Sequence, residues 1–292
     1  NDSIDGDANP LWRLVWLKDE RESDFIVTFN HLLGDGRTGQ LFFDYLLRSL
    51  SDVSYVMPQV PLPLNFEKQL RKKGKLLNCW SQYGRSWRRF FKEGQRDWRK
   101  IRSSQSSELE ACTKIVSRRL NQQQVDQIIQ WSRAKKTSVT AVLAASLARV
   151  LDEDLVQGGA LGISVAIDTR PQCDESSARM LGYFVTTANL VMSDSMTLAD
   201  LSSQFKVDLD EQNAPSQFKF DALYRSLALH LKKDKVSFKQ LVQSKTNNAA
   251  LLTNLGKLDM EAHYGDFELL HCFHIPAVHL LDAPYLSLAT TT

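Results

Sequence analysis

The chain has 292 residues, 43% hydrophobic and 24% charged, enough to bury the core of one large domain or two modest subdomains. This composition excludes intrinsic disorder, collagen-like sequence and a small disulfide scaffold, and no apolar run approaches the roughly 20 residues of a membrane span. The net charge of +2 is uneven: from Lys68 to Arg102, thirteen Lys and Arg stand against Glu93 and Asp97, a local +11 that leaves −9 on the rest.

Residues 11–17 (LWRLVWL) read as a strand, 19–24 as a polar turn, and 25–29 (FIVTF) as a buried strand because they are β-branched and aromatic. NHLLGDG at 30–36 leads into an amphipathic helix over about 38–50, with Leu41, Phe42, Tyr45 and Leu46 on one face. The next strand candidate, 53–57, runs into proline. Residues 57–65 hold three of the eight prolines and read as an extended linker.

The basic stretch that follows also holds Trp80, Tyr83, Trp87, Phe90, Phe91 and Trp98. Apolar steps of three and four fit a helical connection with one solvated and one packed face. The same mixture also suits nucleic acid, an acidic membrane surface or a phosphate-bearing ligand. A Ser-rich stretch, 103–107, closes the region.

From Cys112 the pattern changes. Residues 112–120 are a strand candidate leading into a helix near 121–135. Residues 137–151 (TSVTAVLAASLARVL) form an Ala-rich helix buried on most sides. Strands are expected at 161–167 and 181–192, helices near 198–213 and 217–232, and mostly strands over 249–289 with turns at Gly256 and Gly265. Strands alternating with helices predict an α/β protein with a mixed sheet. Cys79, Cys112, Cys173 and Cys272 form no CxxC pair and read as reduced, buried thiols of an intracellular protein. Residue 1 is Asn and no basic-then-apolar leader follows, so no secretion signal is expected and the location reads as cytoplasmic.

His31 carries the most informative chemistry. It sits at the mouth of a strand, with Asp35 four residues on and Gly36 after it. A tight loop can place such an imidazole at the edge of a cavity while Asp35 turns inward and holds the loop. An unperturbed imidazole, with a pKa of about 6.5, suits general-base work on a hydroxyl or amine at neutral pH. Gly34, Gly36 and Gly39 also spell GxGxxG between a strand and a helix, the context of a dinucleotide loop. Two features oppose that reading. Four residues separate FIVTF from the first Gly, where a tight turn is wanted, and 53–57 ends in no acidic residue.

The HxxxDG pattern between a strand and a helix resembles the acyltransferases with the chloramphenicol-acetyltransferase-like fold. These include alcohol O-acetyltransferases, plant BAHD enzymes, polyketide-associated acyltransferases and condensation domains of nonribosomal peptide synthetases. Three further segments match in the same order. VAIDTRP (165–171) resembles the family strand that carries an Arg. LGYFVTTANL (181–190) resembles the condensation-domain pattern IGxFVNTL. Thr253-Asn254-Leu255-Gly256 resembles an S/T-N-L-G turn near the active-site tunnel. The helix TAVLAASLARVL (140–151) fits in character and position, and the likeness covers most of 11–275.

The resemblance implies an α/β, two-subdomain fold with mixed sheets and an incomplete N-terminal subdomain. Residues 1–57 would be its remnant with the motif, 58–110 a basic, partly helical linker, and 111–292 the C-terminal subdomain. Only thirty residues precede His31 where family members carry a substantial α/β portion, and the C-terminal end is also short, so the chain reads as a truncated member. The implied catalytic set is His31 as base, Asp35 in a mainly structural role, Gly36 letting the backbone pass close to the tunnel, and Asn254 as oxyanion donor. Arg170 would pair with Asp35. Thr253, Gly256 and Tyr183 would line the tunnel, with Thr253 as the other oxyanion donor. Asn30 stands where many members have a first His, and the plant signature DFGWG is absent.

The implied reaction is acyl transfer from a thioester to an alcohol or amine. The co-substrate would be acyl-CoA or the phosphopantetheine of an acyl carrier protein, with no bound cofactor, no metal and no covalent acyl-enzyme, since no GxSxG elbow is present. The basic segment would attract CoA phosphates or an acidic carrier protein. His271, Cys272, His274 and His279 could be imagined as a metal cluster. However, His271 and His274 would face opposite sides of an extended strand and nothing completes the set, so they read as core or tunnel residues. A non-catalytic, condensation-like binding module is the alternative function. Nucleic-acid binding would rest on the basic segment alone and is not expected.

Overall fold

The computed structural model describes residues 11–59, 84, 88–89, 115–154, 159–173, 179–192, 196–214, 217, 250–275 and 286–290. The first two strands, β1 (Trp12–Lys18) and β2 (Ser23–Phe29), form an antiparallel hairpin with Trp12 opposite Phe29 and Trp16 opposite Phe25. β2 is not the buried strand its composition predicts. Among the described residues the hairpin pairs with no other strand, and Trp16 and Ile26 are about half exposed, at 55% and 49%. β-branched and aromatic residues fit a pleated surface whether or not it is covered. Trp12, still 46% exposed, meets Phe42 with ring centroids 5.7 Å apart.

Helix α1 (Gly36–Ser51) starts two residues earlier than expected, because Asp35 caps it through Oδ1, which accepts from Thr38 N at 2.9 Å. Leu41, Tyr45 and Leu47 are buried along it, with Phe42 and Leu46 half-buried. The strand candidate 53–57 is irregular instead. Asp52 Oδ1 accepts from Ser54 N at 2.8 Å and Tyr55 N donates to Asp52 O at 3.0 Å, which turns the chain. Residues 115–120 likewise form no strand and are exposed. They run directly into the capping box of α2 (Gln122–Ala134), where Asn121 and Gln124 satisfy each other's backbone N–H.

Helix α3 (Val139–Asp154) has Ala141, Ala144, Ala145 and Ala148 fully buried. Those small side chains let it lie close on a mixed sheet. β3 (Leu161–Asp168) and β4 (Val185–Met192) pair antiparallel, and β5 (Ala250–Asn254) lies parallel to β3. A two-residue ladder, β6 (His263–Tyr264) with β7 (Phe267–Glu268), turns at Gly265, whose φ is +57°. β8 (Leu286–Thr290) lies parallel to β5, so the main sheet runs β4-β3-β5-β8. With α4 (Leu198–Gln212), α3 covers the sheet, and Ile163, Val165, Leu190, Leu201, Phe205 and Leu252 fill the core between. The mixed α/β architecture is the one the sequence predicts.

β4 begins four residues later than the 181–192 expectation. Residues 182–184 are drawn onto the start of α1 instead. Cys173 is buried with Met180 and Phe184, and Cys272 is only partly buried. Cys79, Cys112, the proline linker beyond 59, most of the basic stretch, 103–107 and all of the 217–232 helix except Gln217 lie outside the described residues. Arg89 donates to Asp208 and Glu211 of α4 at 3.4 and 3.5 Å. Among the described residues no helix is long and apolar enough to cross a membrane.

Candidate active site

The loop after β2 is built from its own short-range bonds. Asn30 N donates to Leu11 O at 2.7 Å and Asn30 Oδ1 accepts from Leu32 N at 3.0 Å, while Leu33 N donates to Asn30 O at 2.9 Å. This Asx turn lifts His31 out of the strand into an exposed position. His31 Nδ1 bonds Gly34 O at 2.8 Å. A carbonyl only accepts, so in the neutral imidazole this bond puts the proton on Nδ1 and the lone pair on Nε2. The ring of Tyr183 meets the imidazole edge-on, with centroids 5.3 Å apart and planes at 77°.

Asp35 points the other way. Its two oxygens accept from Arg170 Nη1 at 2.9 Å and Nη2 at 3.0 Å, and also from Thr38 N and from Phe184 N at 2.8 Å. Both members of this bidentate pair are buried. Arg170 is held further by Asp168 Oδ1 at 3.1 Å, by Met180 O at 3.2 Å, and by the face of Phe184 at 4.6 Å. Four acceptor sites and four donors leave the carboxylate full, which gives Asp35 a holding role.

Gly36 lies against the end of a leucine side chain. A Cβ there would come 2.9 Å from Leu255 Cδ2. The turn after β5 therefore packs on the first turn of α1. Within that turn Asn254 Nδ2 donates to Thr140 Oγ1 at 3.0 Å, and its Oδ1 accepts from Gly256 N and Thr290 Oγ1, both at 2.9 Å. Gly256 has φ +67° with open space where a Cβ would point. Thr253 is half-buried on β5. The structure thus joins His31, Tyr183, Asp35, Arg170 and Gly36 into one connected group. Thr253, Asn254 and Gly256 flank Leu255, whose side chain packs on Gly36 of that group.

The three glycines of the GxGxxG pattern face the chain's own side chains. A Cβ at Gly34 would fall 2.4 Å from Thr38, and one at Gly39 would fall 3.2 Å from Phe29. His271, Cys272 and His274 lie in an irregular segment and not in a strand, and His279 lies outside the described residues. Among the described residues no group of His, Cys, Asp and Glu could hold a metal. Burial pushes the Cys272 thiol up and the His274 imidazole down.

Sequence reasoning missed two features. Thr38 Oγ1 donates to Gly182 O at 2.8 Å and accepts from Gly182 N at 3.0 Å, fastening the 182–184 segment to α1. Asp44, fully buried, accepts from Arg48 Nε at 3.1 Å, Arg179 Nη2 at 2.9 Å and Tyr264 Oη at 2.9 Å. A carboxylate among the buried residues Leu41, Tyr45 and Leu47 was a readable signal, since buried charges require partners.

A family model described as alcohol acetyltransferase matches residues 2–265. No curated protein matches the chain. Among solved structures it is similar to the first condensation domain of the CDA synthetase, at 12% identity over 88% of this chain and 53% of that one, with a TM-score of 0.56. It is also similar to the EpoB NRPS cyclization-docking bidomain from Sorangium cellulosum, at 14% identity over 86% of this chain and 49% of that one, with a TM-score of 0.61. At these identities the likeness is one of fold. The chain spans about half the length of these structures.

Proposed function

Because the chain belongs to the alcohol acetyltransferase family, we propose that it moves an acyl group from a thioester to an alcohol or amine, with His31 as the general base. The observation that carries this reading is the 2.8 Å bond from Nδ1 to Gly34 O, which leaves Nε2 as the basic atom on an exposed ring. Nε2 takes the proton of the acceptor as its oxygen or nitrogen bonds to the thioester carbonyl carbon. The carbonyl electron pair moves onto oxygen. When it returns, the C–S bond breaks and the thiolate takes the proton back from His31. A positioned base contributes ~10²–10⁴ in rate.

Asn254 keeps one amide hydrogen beyond the one given to Thr140, and Thr253 carries a hydroxyl. Either would serve as oxyanion donor, worth on the order of 10²–10³ in rate. Tyr183 and Gly256 would border the acceptor's path. The donor would be acyl-CoA or an acylated carrier protein. The basic stretch, described only at residues 84 and 88–89, would attract either by long-range field.

The test is release of free thiol from a panel of acyl-CoA and acyl-carrier donors with mixed alcohols and amines, comparing the wild-type chain with His31→Ala at matched circular dichroism. Turnover lost in the variant supports the reading. Equal turnover in both overturns the role of His31. A folded chain that binds these donors without releasing thiol is a non-catalytic binding module instead.

A further inference from the structure

Tyr183 is held from both sides by contacts that do not involve its own ring. Before it, Gly182 has φ 145°, a conformation that favours glycine. Its N–H and C=O are both fastened to Thr38 Oγ1, and the C=O also accepts from Asp35 N at 3.3 Å and Arg170 Nη2 at 3.3 Å. After it, Phe184 N donates to Asp35 Oδ2, and Phe184 O accepts from Thr169 N and Oγ1, each at 2.7 Å. The buried ion pair therefore anchors the backbone that carries Tyr183. Tyr183 itself is 56% exposed, and among the described residues its ring meets that of His31 edge-on.

A single hydrogen bond from Nδ1 to Gly34 O lets an imidazole pivot about that bond. A ring lying across its plane removes the remaining freedom. From this geometry we infer that Tyr183 is the positioning residue for His31, and that the Asp35–Arg170 pair acts on the chemistry through it. The inference rests on the reading of His31 as the base. The phenol hydroxyl has no part in it; the aromatic ring does.

Tyr183→Phe keeps the ring and Tyr183→Leu removes it, and the high exposure of the site lets both fold. Aromatic pairs of this geometry predict a loss of about three- to tenfold in kcat for Tyr183→Leu with the thermal midpoint held, and a clearly smaller loss for Tyr183→Phe, which keeps the ring. The second readout is the proton NMR of the His31 ring, assigned by its disappearance in His31→Ala. Its resonances should be displaced by the tyrosine ring current in wild type and Tyr183→Phe, and should move toward free histidine in Tyr183→Leu. Wild-type kcat in Tyr183→Leu, equal losses in Phe and Leu, or unmoved resonances in Leu would each overturn the inference. If the wild-type chain releases no thiol, the base reading fails, and the NMR comparison alone still decides whether Tyr183 positions the imidazole.

Discussion

Asp35 and His31 sit four residues apart and do opposite things. The imidazole is turned outward by the Asn30 turn, and the carboxylate is turned inward and filled by four donors. Removing one member of a buried, hydrogen-bonded pair strands the other charge, at about 3–5 kcal/mol. Asp35→Ala should lower stability in urea by that amount, and adding Arg170→Met to it should recover part of the loss. A double variant no more stable than Asp35→Ala would show that the stranded guanidinium is not the source of the cost. Tyr264 is the same kind of residue at the other node. Burial, together with donation to Asp44, pushes its hydroxyl up to about 12. Below pH 10 both folded and unfolded tyrosine are protonated. Between about 10 and 12 the unfolded form ionises first, so folding stability falls as pH rises through that window. Tyr264→Phe should flatten the alkaline arm of the stability profile while lowering stability at pH 7 by about 1–3 kcal/mol, because Asp44 loses a donor.

Among the elements, α1 positions the site. Its first turn meets Leu255 at Gly36, its Thr38 holds Gly182, and its Asp44 binds groups from residues 179 and 264. Gly36→Ala places a Cβ against the movable end of Leu255 and should cost about 1 kcal/mol, the low end for overpacking. Leu255→Val in the same chain shortens that side chain and should restore most of the loss, read from thermal unfolding. No recovery would mean that the turn after β5 does not bear on α1. Helix α2 makes a useful contrast, because its start is local. Asn121→Ala removes one half of a capping box and should cost about 1 kcal/mol with the Gly36→Ala defect unaffected.

Across the whole molecule, the two nodes on α1 join residues 135 positions apart, Asp35 to Arg170 and Asp44 to Arg179. The acid side of the stability profile has its own marker in His274. Burial lowers its pKa, and among the described residues its Nδ1 has no hydrogen-bond partner. The unfolded chain therefore takes up a proton near pH 6.5 that the folded one resists, and stability falls as pH drops below that value. His274→Leu should remove part of the loss between pH 7 and 5.5, measured as the change in thermal midpoint against wild type. An identical fall in both would place the titrating group elsewhere. The sequence by itself determined the elements that supply most of the core. The alanine-rich run of α3 and the apolar run of β3 are legible in the residues of each element alone. It also determined that His31 and Asp35 share one loop, because four residues and a glycine leave little other geometry. Tertiary structure decided the rest. FIVTF proved half-buried on one face and exposed on the other, with no further strand covering it among the described residues, while 182–184 left the sheet for hydrogen bonds to Asp35 and Thr38. The roles of Thr38 and Gly182 and the ring contact between Tyr183 and His31 were illegible for one physical reason. Each depends on a hydrogen bond or packing contact between distant segments, and local spacing does not carry the identity of a partner more than a hundred residues away.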